Sequence, residues 1–105
     1  MVFKVLVWLR GKSGQSPEQF KRYWLEVHAP LARDKLQGLR RYTINVVTGA
    51  PRGEPLVQGV AELEFDSQEA FTAALTTPAG REVMLDLSNF CAESGAMFAE
   101  EYRIV

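Results

Sequence analysis

The side chain with the clearest chemical potential is the chain's only histidine, His28, in residues 20–33 (FKRYWLEVHAPLAR). Imidazole is the one side chain whose unperturbed charge changes near neutral pH, so it can serve as a general acid or base. Trp24 stands four residues before it and Pro30 two residues after it. We therefore expect a proton carrier beside an aromatic wall at a helix end, where exposed carbonyls stabilise an imidazolium. A second interpretation stays open, in which the ring nitrogens only satisfy those carbonyls and close the helix.

Aromatic and polar residues that could surround the histidine fall on the same helix and on two strands. Trp24 and Phe20 belong to an apolar helical stripe, where aromatic side chains pack in a core or wall a ligand pocket. Tyr42 could donate its hydroxyl to a substrate oxygen or pack within a strand. Trp8, near the end of the first strand, presents the same alternatives. Asn45 falls on a polar strand face and could line a pocket or a dimer contact.

Other reactive residue types give weaker signals. Asp86 and Glu62 lie within or beside apolar segments. Either could orient the histidine or pair with an arginine, although carboxylates are most often solvated surface charges. Cys91 beside Phe90 is typical of a small buried hydrophobe. One histidine and one distant cysteine form no recognisable metal ligand set, and no glycine-rich phosphate loop occurs, so the sequence predicts no metal or cofactor.

Hydrophobic patterns predict the elements that must position these residues. Alternating or β-branched runs indicate four strands, at residues 2–10, 39–47, 56–65 and 96–105. Two capping boxes indicate helix starts, at residues 16–19 (SPEQ) and 66–69 (DSQE). The order is strand, helix, strand, strand, helix, strand.

Two prolines and a glycine set the expected element boundaries. Pro30 is expected to end the first helix near His28, because its ring clashes with the carbonyl four residues earlier and it disfavours helical geometry at Ala29. Pro78 suits a first helical position, so the second helical region is expected as two helices joined at a kink, with periodicity through residue 91. Gly95 is expected to release the chain into the last strand.

This order predicts a ferredoxin-like βαββαβ sandwich, an α+β fold with a four-stranded antiparallel sheet and its helices on one face. A length of 105 residues suits a single domain over residues 1–105. The helix-free face is not uniformly polar, so we expect it to be covered by a second sheet in a homodimer.

Charge balance, apolar run length and cysteine count exclude several classes of partner and of structure. Twelve basic and thirteen acidic residues leave no basic face for nucleic acid. No apolar run approaches the ~20 residues that span a bilayer, so no membrane association is expected. A single cysteine cannot form an internal disulfide. We expect a cytoplasmic protein.

Four segments resemble the EthD family of the dimeric α+β barrel superfamily. They are FxxYWxxxHAPL at residues 20–31, GLxxY at 38–42, AELxFDS at 61–67 and DxxxF at 86–90. The resemblance implies subunits that pair sheet to sheet, with a pocket between each sheet and its helices. The family takes its name from a gene cluster for oxidative degradation of an ether. Members of the superfamily include cofactor-independent monooxygenases, lactone isomerases and polyketide cyclases.

Taken together, the residues and the resemblance imply a homodimer that binds a small, largely apolar, oxygen-bearing organic compound in catabolic or secondary metabolism. It would perform cofactor-free chemistry on that compound, either monooxygenase-like or isomerase- and cyclase-like. A single histidine excludes a two-histidine relay. The expected catalytic residues are His28 and Tyr42, and the expected substrate-binding residues are Trp24, Phe20, Trp8 and Asn45. Two alternatives stay open: a binding or accessory protein for a separate oxygenase, and a dimer with no catalytic role.

Overall fold

A computed structural model of the chain describes residues 2–105. One sheet carries all the helices on one side. The strands are β1 (Phe3–Gly11), β2 (Arg41–Val46), β3 (Gly59–Phe65) and β4 (Cys91–Ala99). The helices are α1 (Pro17–Tyr23), α2 (Ala29–Lys35), α3 (Gln68–Thr76) and α4 (Pro78–Asp86), with a π-helical turn at Trp24–His28 and a 3-10 turn at Leu87–Asn89.

The sheet has the strand order β2-β3-β1-β4, and every neighbouring pair is antiparallel. This confirms the predicted ferredoxin-like fold. Side chains alternate between the two faces of a strand, so every second residue of β1 and β3 points to the helices. The largest buried side chains of this inner face are Val5, Leu9 and Phe65. We call the face under the helices the cavity side of the sheet and the other face the open side.

The first helical region continues past His28, so the prediction that Pro30 ends it was wrong. Ala29 keeps helical dihedral angles, φ −63° and ψ −45°, and its N–H donates to the carbonyl of Trp24, five residues earlier. In a regular α-helix the Pro30 ring would meet the carbonyl of Glu26. The wider π turn places one extra residue in the turn and relieves that clash. The chain then continues directly into α2.

The π turn also keeps one face of this long helix buried. Its fully or nearly buried residues recur at intervals of four, at Phe20, Trp24, His28, Ala32 and Leu36. A four-residue step overshoots one α-helical turn by ~40°, so this face would rotate away from the sheet over five such residues. A turn with more residues counters the drift. Val27, one residue before His28, lies off this face and is 45 % exposed.

The last strand begins at Cys91, five residues before the predicted start, and residues 100–105 carry no regular structure. Gly95 lies inside β4 and not at its start. A Cβ atom at Gly95 would lie 2.5 Å from the ring of Trp8, which packs over it from the open side. This glycine therefore makes room for a side chain and does not break the strand.

The second helical region is divided at Pro78, as predicted. Thr77 caps α4 by accepting the N–H of Gly80, and a Cβ atom at Gly80 would lie 1.8 Å from the carbonyl oxygen of Ala74 in α3. The two short helices therefore cross in close contact. Helical structure ends at Asn89, so the predicted continuation through Cys91 was wrong. Within residues 2–105, none of the helices has the length and hydrophobicity to span a membrane.

Candidate functional site

A cavity of about 200 Å³ lies between the cavity side of the sheet and the helices. The sheet contributes apolar side chains such as Val7, Ala61 and Leu63. The long first helical region contributes Trp24 and His28, one from each end of its π turn. None of the described residues that line the cavity is Lys, Arg, Asp or Glu.

His28 is held by Asp86 from the end of α4. Its Nδ1 atom lies 2.8 Å from Asp86 Oδ2, and the two side chains are only 6 % and 11 % exposed. An ionised carboxylate accepts hydrogen bonds and cannot donate, so the proton of the neutral ring is on Nδ1. The other nitrogen, Nε2, then carries a lone pair. Asp86 thus selects the tautomer in which Nε2 can act as a base.

The Asp86 carboxylate is the centre of a small, partly buried network. Its Oδ1 atom accepts hydrogen bonds from the Tyr23 hydroxyl at 2.7 Å and from Asn89 Nδ2 at 3.0 Å. Burial acts to raise the pKa of Asp86, but the hydrogen bonds from Tyr23, Asn89 and His28 outweigh it and bring the pKa below its usual value. The same bond raises the pKa of Tyr23, because its hydroxyl donates to a negative charge. Asp86 is therefore ionised at neutral pH.

The Nε2 atom of His28 is accessible. No described residue forms a hydrogen bond with it, and among the described residues no buried side-chain nitrogen or oxygen lacks a partner. Nε2 is therefore not sealed within the protein, and His28 lines the cavity. An unpaired imidazole nitrogen beside an apolar cavity can receive a proton from a bound molecule.

Trp24 and Tyr42 form a second polar pair at the cavity. The Trp24 indole Nε1–H donates to the Tyr42 hydroxyl oxygen at 3.2 Å. Burial raises the pKa of Tyr42, against a smaller lowering by this bond, so its hydroxyl is protonated at neutral pH. The hydroxyl accepts from Trp24 and can donate its own proton to a ligand oxygen. The Trp24 ring itself lies over Gly59, where a Cβ atom would be 2.3 Å from it.

Phe20 supports the site from behind. Its ring centroid lies 5.7 Å from that of Trp24 and 5.4 Å from that of Phe90, and it is buried. It is not one of the residues that line the cavity. Phe20 therefore packs against the aromatic wall, where the sequence predicted a direct contact with ligand.

Trp8 and Asn45, which the sequence placed at the pocket, lie on the open side of the sheet. Trp8 packs over Gly95, with the Arg10 guanidinium 5.7 Å from its ring centroid. Asn45 donates to the Val60 carbonyl at 3.0 Å and to Glu62 at 3.1 Å. The structure does not bring either residue to the cavity. Strand alternation separates the two faces but does not reveal which one the helices cover.

The structure decides between the two carboxylates. Asp86 orients His28, while Glu62 pairs with Lys4 at 2.9 Å on the open side. Cys91 is buried at the start of β4, and burial raises the pKa of its thiol to about 12. Among residues 2–105, no three His, Cys, Asp or Glu side chains meet in a group that could hold a metal ion.

The sequence interpretation missed Tyr23 and Asn89. Tyr23 and His28 bind the same carboxylate although they are five residues apart. Two residues that are five positions apart point to well-separated sides of an α-helix but to nearly the same side of a π turn. A reading based on α-helical spacing therefore cannot bring them together. Asn89 follows Asp86 by three residues, a spacing that was available in the sequence as a signal.

Comparison with known proteins identifies the family. The EthD domain matches residues 12–94 of the chain. The chain belongs to the EthD family. The resemblance noted in its sequence is thereby confirmed. An EthD family protein from Bacillus halodurans is 26 % identical and superposes with a TM-score of 0.82, with 97 % of this chain and 100 % of that protein covered. No curated protein matches the sequence significantly.

Two solved structures with named activities share the fold of this EthD protein. Hydroxynitrile lyase from Passiflora edulis is 13 % identical, with a TM-score of 0.75 over 99 % of this chain and 96 % of that one. SnoaB, a cofactor-independent oxygenase from Streptomyces nogalater, is 18 % identical, with a TM-score of 0.61 over 99 % and 95 %. Similar structures from Bacteroides fragilis and Thermobifida fusca are dimeric proteins. At these identities the likeness establishes the fold alone.

Proposed function

We propose that this EthD family protein is a cofactor-free proton-transfer catalyst for a small, neutral, enolisable carbonyl compound. The observation that carries the proposal is His28, which lines an apolar cavity, whose Nδ1 is held by Asp86 and whose Nε2 has no partner among the described residues. A base needs a defined tautomer, a free lone pair and a counter-charge for its protonated form. This arrangement supplies all three.

The chemistry follows from the two polar pairs. His28 Nε2 takes a proton from the carbon next to the carbonyl group, and the electron pair of that C–H bond moves into the enolate. Tyr42 donates a hydrogen bond to the carbonyl oxygen as negative charge develops there. Asp86 stabilises the imidazolium that results. General acid–base help of this kind contributes ~10²–10⁴-fold, which suits a substrate whose C–H bond is already activated.

The lining restricts the substrate to uncharged molecules. An anion bound here would lose its hydration without gaining a cationic partner, because no Lys or Arg is among the described lining residues. The volume of about 200 Å³ is below the ~300–1,000 Å³ of common drug-sized pockets, so the enclosed part of the substrate is compact.

The enolate has two possible fates. It can be reprotonated at another atom, which gives an isomerisation or cyclisation, or it can reduce dioxygen, which gives an oxygenation. The shared fold with a lyase and a cofactor-independent oxygenase supports enzymatic chemistry on this scaffold. Binding without turnover, as in an accessory protein for a separate oxygenase, is the remaining alternative.

The proposal includes a homodimer. Trp8 is only partly buried on the open side, and Met97 on the same side is 52 % exposed. Exposed apolar surface of this kind favours association, and similar structures are dimeric. Sedimentation of the purified protein measures this directly, and a monomer would contradict it.

Deuterium exchange tests the function. Butanone is incubated with the protein in D₂O, and loss of the proton signal next to the carbonyl is followed by NMR. We expect exchange above the buffer rate that is lost in His28→Gln and lowered in Tyr42→Phe. Val27→Ala, a change at a half-exposed position one residue away, is the control for general damage to the helix.

Two further readouts, dioxygen consumption and ligand binding, complete the test. An oxygen electrode separates reprotonation from oxygenation of the enolate. Full exchange in a folded His28→Gln variant would refute the proposal. Binding of butanone without exchange, by the wild type as well as by the variants, would support the accessory role.

A further inference from the structure

We propose that the substrate carries an unbranched apolar chain, which leaves the cavity between α4 and β4 and lies along an exposed apolar rim. The exit rim consists of Met84, Ala96 and Phe98. This inference rests on the proposed function, because it assigns the far end of a ligand whose carbonyl group lies at His28. The substrate class is thus an uncharged amphiphile with a compact oxygen-bearing head.

Burial along the cavity lining identifies the open end. Trp24, His28 and Leu63 are buried and form the closed end. Met84 and Ala96 also line the cavity, yet both are exposed, Met84 by 47 %. The lining therefore runs from a closed end that holds His28 to an open, mainly apolar end between α4 and β4.

The edge strand β4 explains the opening. Its residues on the cavity side include Ser94 and Ala96, which are small and exposed. Phe98, two residues further on the same side, is 53 % exposed. Its ring packs against Phe71, a lining residue, at a centroid distance of 5.8 Å and an angle of 84°. The rim is thus continuous with the cavity wall and is held in place by aromatic packing.

The distribution of polar groups fixes the orientation of the ligand. Two of the three lining groups that can bind a carbonyl oxygen or its neighbouring C–H, His28 Nε2 and the Tyr42 hydroxyl, are set among buried residues, and only the Ser94 hydroxyl lies toward the open end. The exit rim offers only hydrocarbon, a thioether and an aromatic ring. A polar head therefore gains hydrogen bonds inside, and a hydrocarbon chain gains contact by extending outward over the rim.

A homologous series of ligands tests this arrangement. Dissociation constants are measured by calorimetry for straight-chain methyl ketones from butanone to decanone, with the full-length protein. A fully buried methylene strengthens binding about fourfold. We expect that increment for the shortest members and about twofold per methylene for the longer ones, because the rim buries a chain only on one side. Affinity should continue to rise after the cavity is filled.

A matched pair of variants on α4 locates the chain. Met84→Glu puts a charge on the exit rim and should flatten the rise of affinity with chain length. Leu85→Glu adds the same charge at the next position, which is 74 % exposed and does not line the cavity, and should keep the wild-type slope. A loss of slope in both variants would point to net charge and would overturn the assignment.

The other outcomes also decide the question. Affinity that falls once the cavity is full would overturn the chain exit, while exchange on butanone would leave the proton-transfer proposal intact. Absence of binding by every ketone would overturn both. A change of sedimentation mass in Met84→Glu, with an unchanged slope, would show that a second copy covers the rim and would overturn the inference.

Discussion

The two faces of the sheet handle polar groups in opposite ways. On the cavity side, a few polar side chains meet in one partly buried network, in which Asp86 binds His28, Tyr23 and Asn89. On the open side, charges are more numerous and neutralise one another, as in the pairs Lys4–Glu62 at 2.9 Å and Arg10–Glu93 at 2.5 Å. The open side is rich in charge and the cavity side is poor in it.

The difference shows that charge density is a poor guide to chemistry. The Lys4 ammonium and the Asn45 amide lower the pKa of Glu62, so this carboxylate is a partner already engaged by neighbouring groups. His28 instead keeps one nitrogen without a partner among the described residues. A single unengaged group in an apolar surrounding has more capacity to act on a ligand than several charges that satisfy each other.

Among the substitutions that compare the two faces, replacement of the carboxylate on the cavity side is expected to have the largest effect. Asp86→Asn removes the negative charge that stabilises the imidazolium, and we expect butanone exchange to fall by about 10²-fold. It also weakens a buried network and should lower the free energy of unfolding by ~1–3 kcal/mol. Exchange rates and urea melts measure the two effects.

Glu62→Gln is the matched control on the open side. Its side chain is 34 % exposed, so the loss of its pair with Lys4 should cost less than ~1 kcal/mol and leave exchange unchanged. Equal effects of the two substitutions would remove the contrast between the faces.

A pair of glycine substitutions compares packing on the two faces. A Cβ atom at Gly59 meets the fully buried ring of Trp24, and one at Gly95 meets the partly buried ring of Trp8. Gly59→Ala should cost ~1–3 kcal/mol, because the Trp24 ring must shift out of its packed position and away from its bond to the Tyr42 hydroxyl. In the proposed homodimer a partner sheet covers Trp8, so Gly95→Ala should weaken the dimer and its cost should grow with protein concentration, whereas the cost of Gly59→Ala should not. Costs that are independent of concentration for both variants in urea melts would indicate that no partner sheet covers Trp8.

Removal of the proline in the π-helical region should have a moderate effect. Pro30→Ala restores an N–H and permits regular α-helical bonding, which would turn His28 away from Asp86. We expect the rate of butanone exchange to fall by up to about tenfold, which corresponds to ~1.4 kcal/mol in activation free energy. The helical content should stay close to that of wild type. Nitrogen chemical shifts of the imidazole report its tautomer. Pro78→Ala, at the first position of α4, is the control and should change neither the exchange rate nor the imidazole chemical shifts.

The smallest expected effect is a difference in acid stability. The folded-state pKa of Asp86 is lowered, so its contribution is complete above the unfolded pKa of ~3.9 and is lost as pH falls through the folded value. The unfolding free energies of wild type and Asp86→Asn should therefore converge below about pH 4.

High salt should remove the contribution of Glu62 to the free energy of unfolding but leave that of Asp86, because screening acts mainly on exposed pairs. A salt-sensitive Asp86 contribution would contradict its burial.

Local patterns predicted most of the fold and part of the site. The capping sequence before Pro17 and the alternation around Leu63 are local signals, and both elements form where expected. The last strand was misplaced, because Gly95 has the same appearance in sequence whether it breaks a strand or admits a tryptophan. His28, Trp24 and Tyr42 do border one cavity. Trp8 and Asn45 do not, because the sequence cannot tell which strand face the helices cover.

The sequence by itself determined the kinds and order of the elements and the residue with acid–base capacity, because capping, alternation and imidazole chemistry depend on neighbours in the chain. Only the tertiary structure decided what that residue can do. Asp86 is 58 positions from His28 in the chain, and the two meet only when α4 packs beside the π turn. The π turn itself arises from a conflict between Pro30 and a helix face that must stay buried. The π turn places His28 beside both Asp86 and the cavity. It depends on the sheet, because the sheet is what one face of this helix must stay packed against.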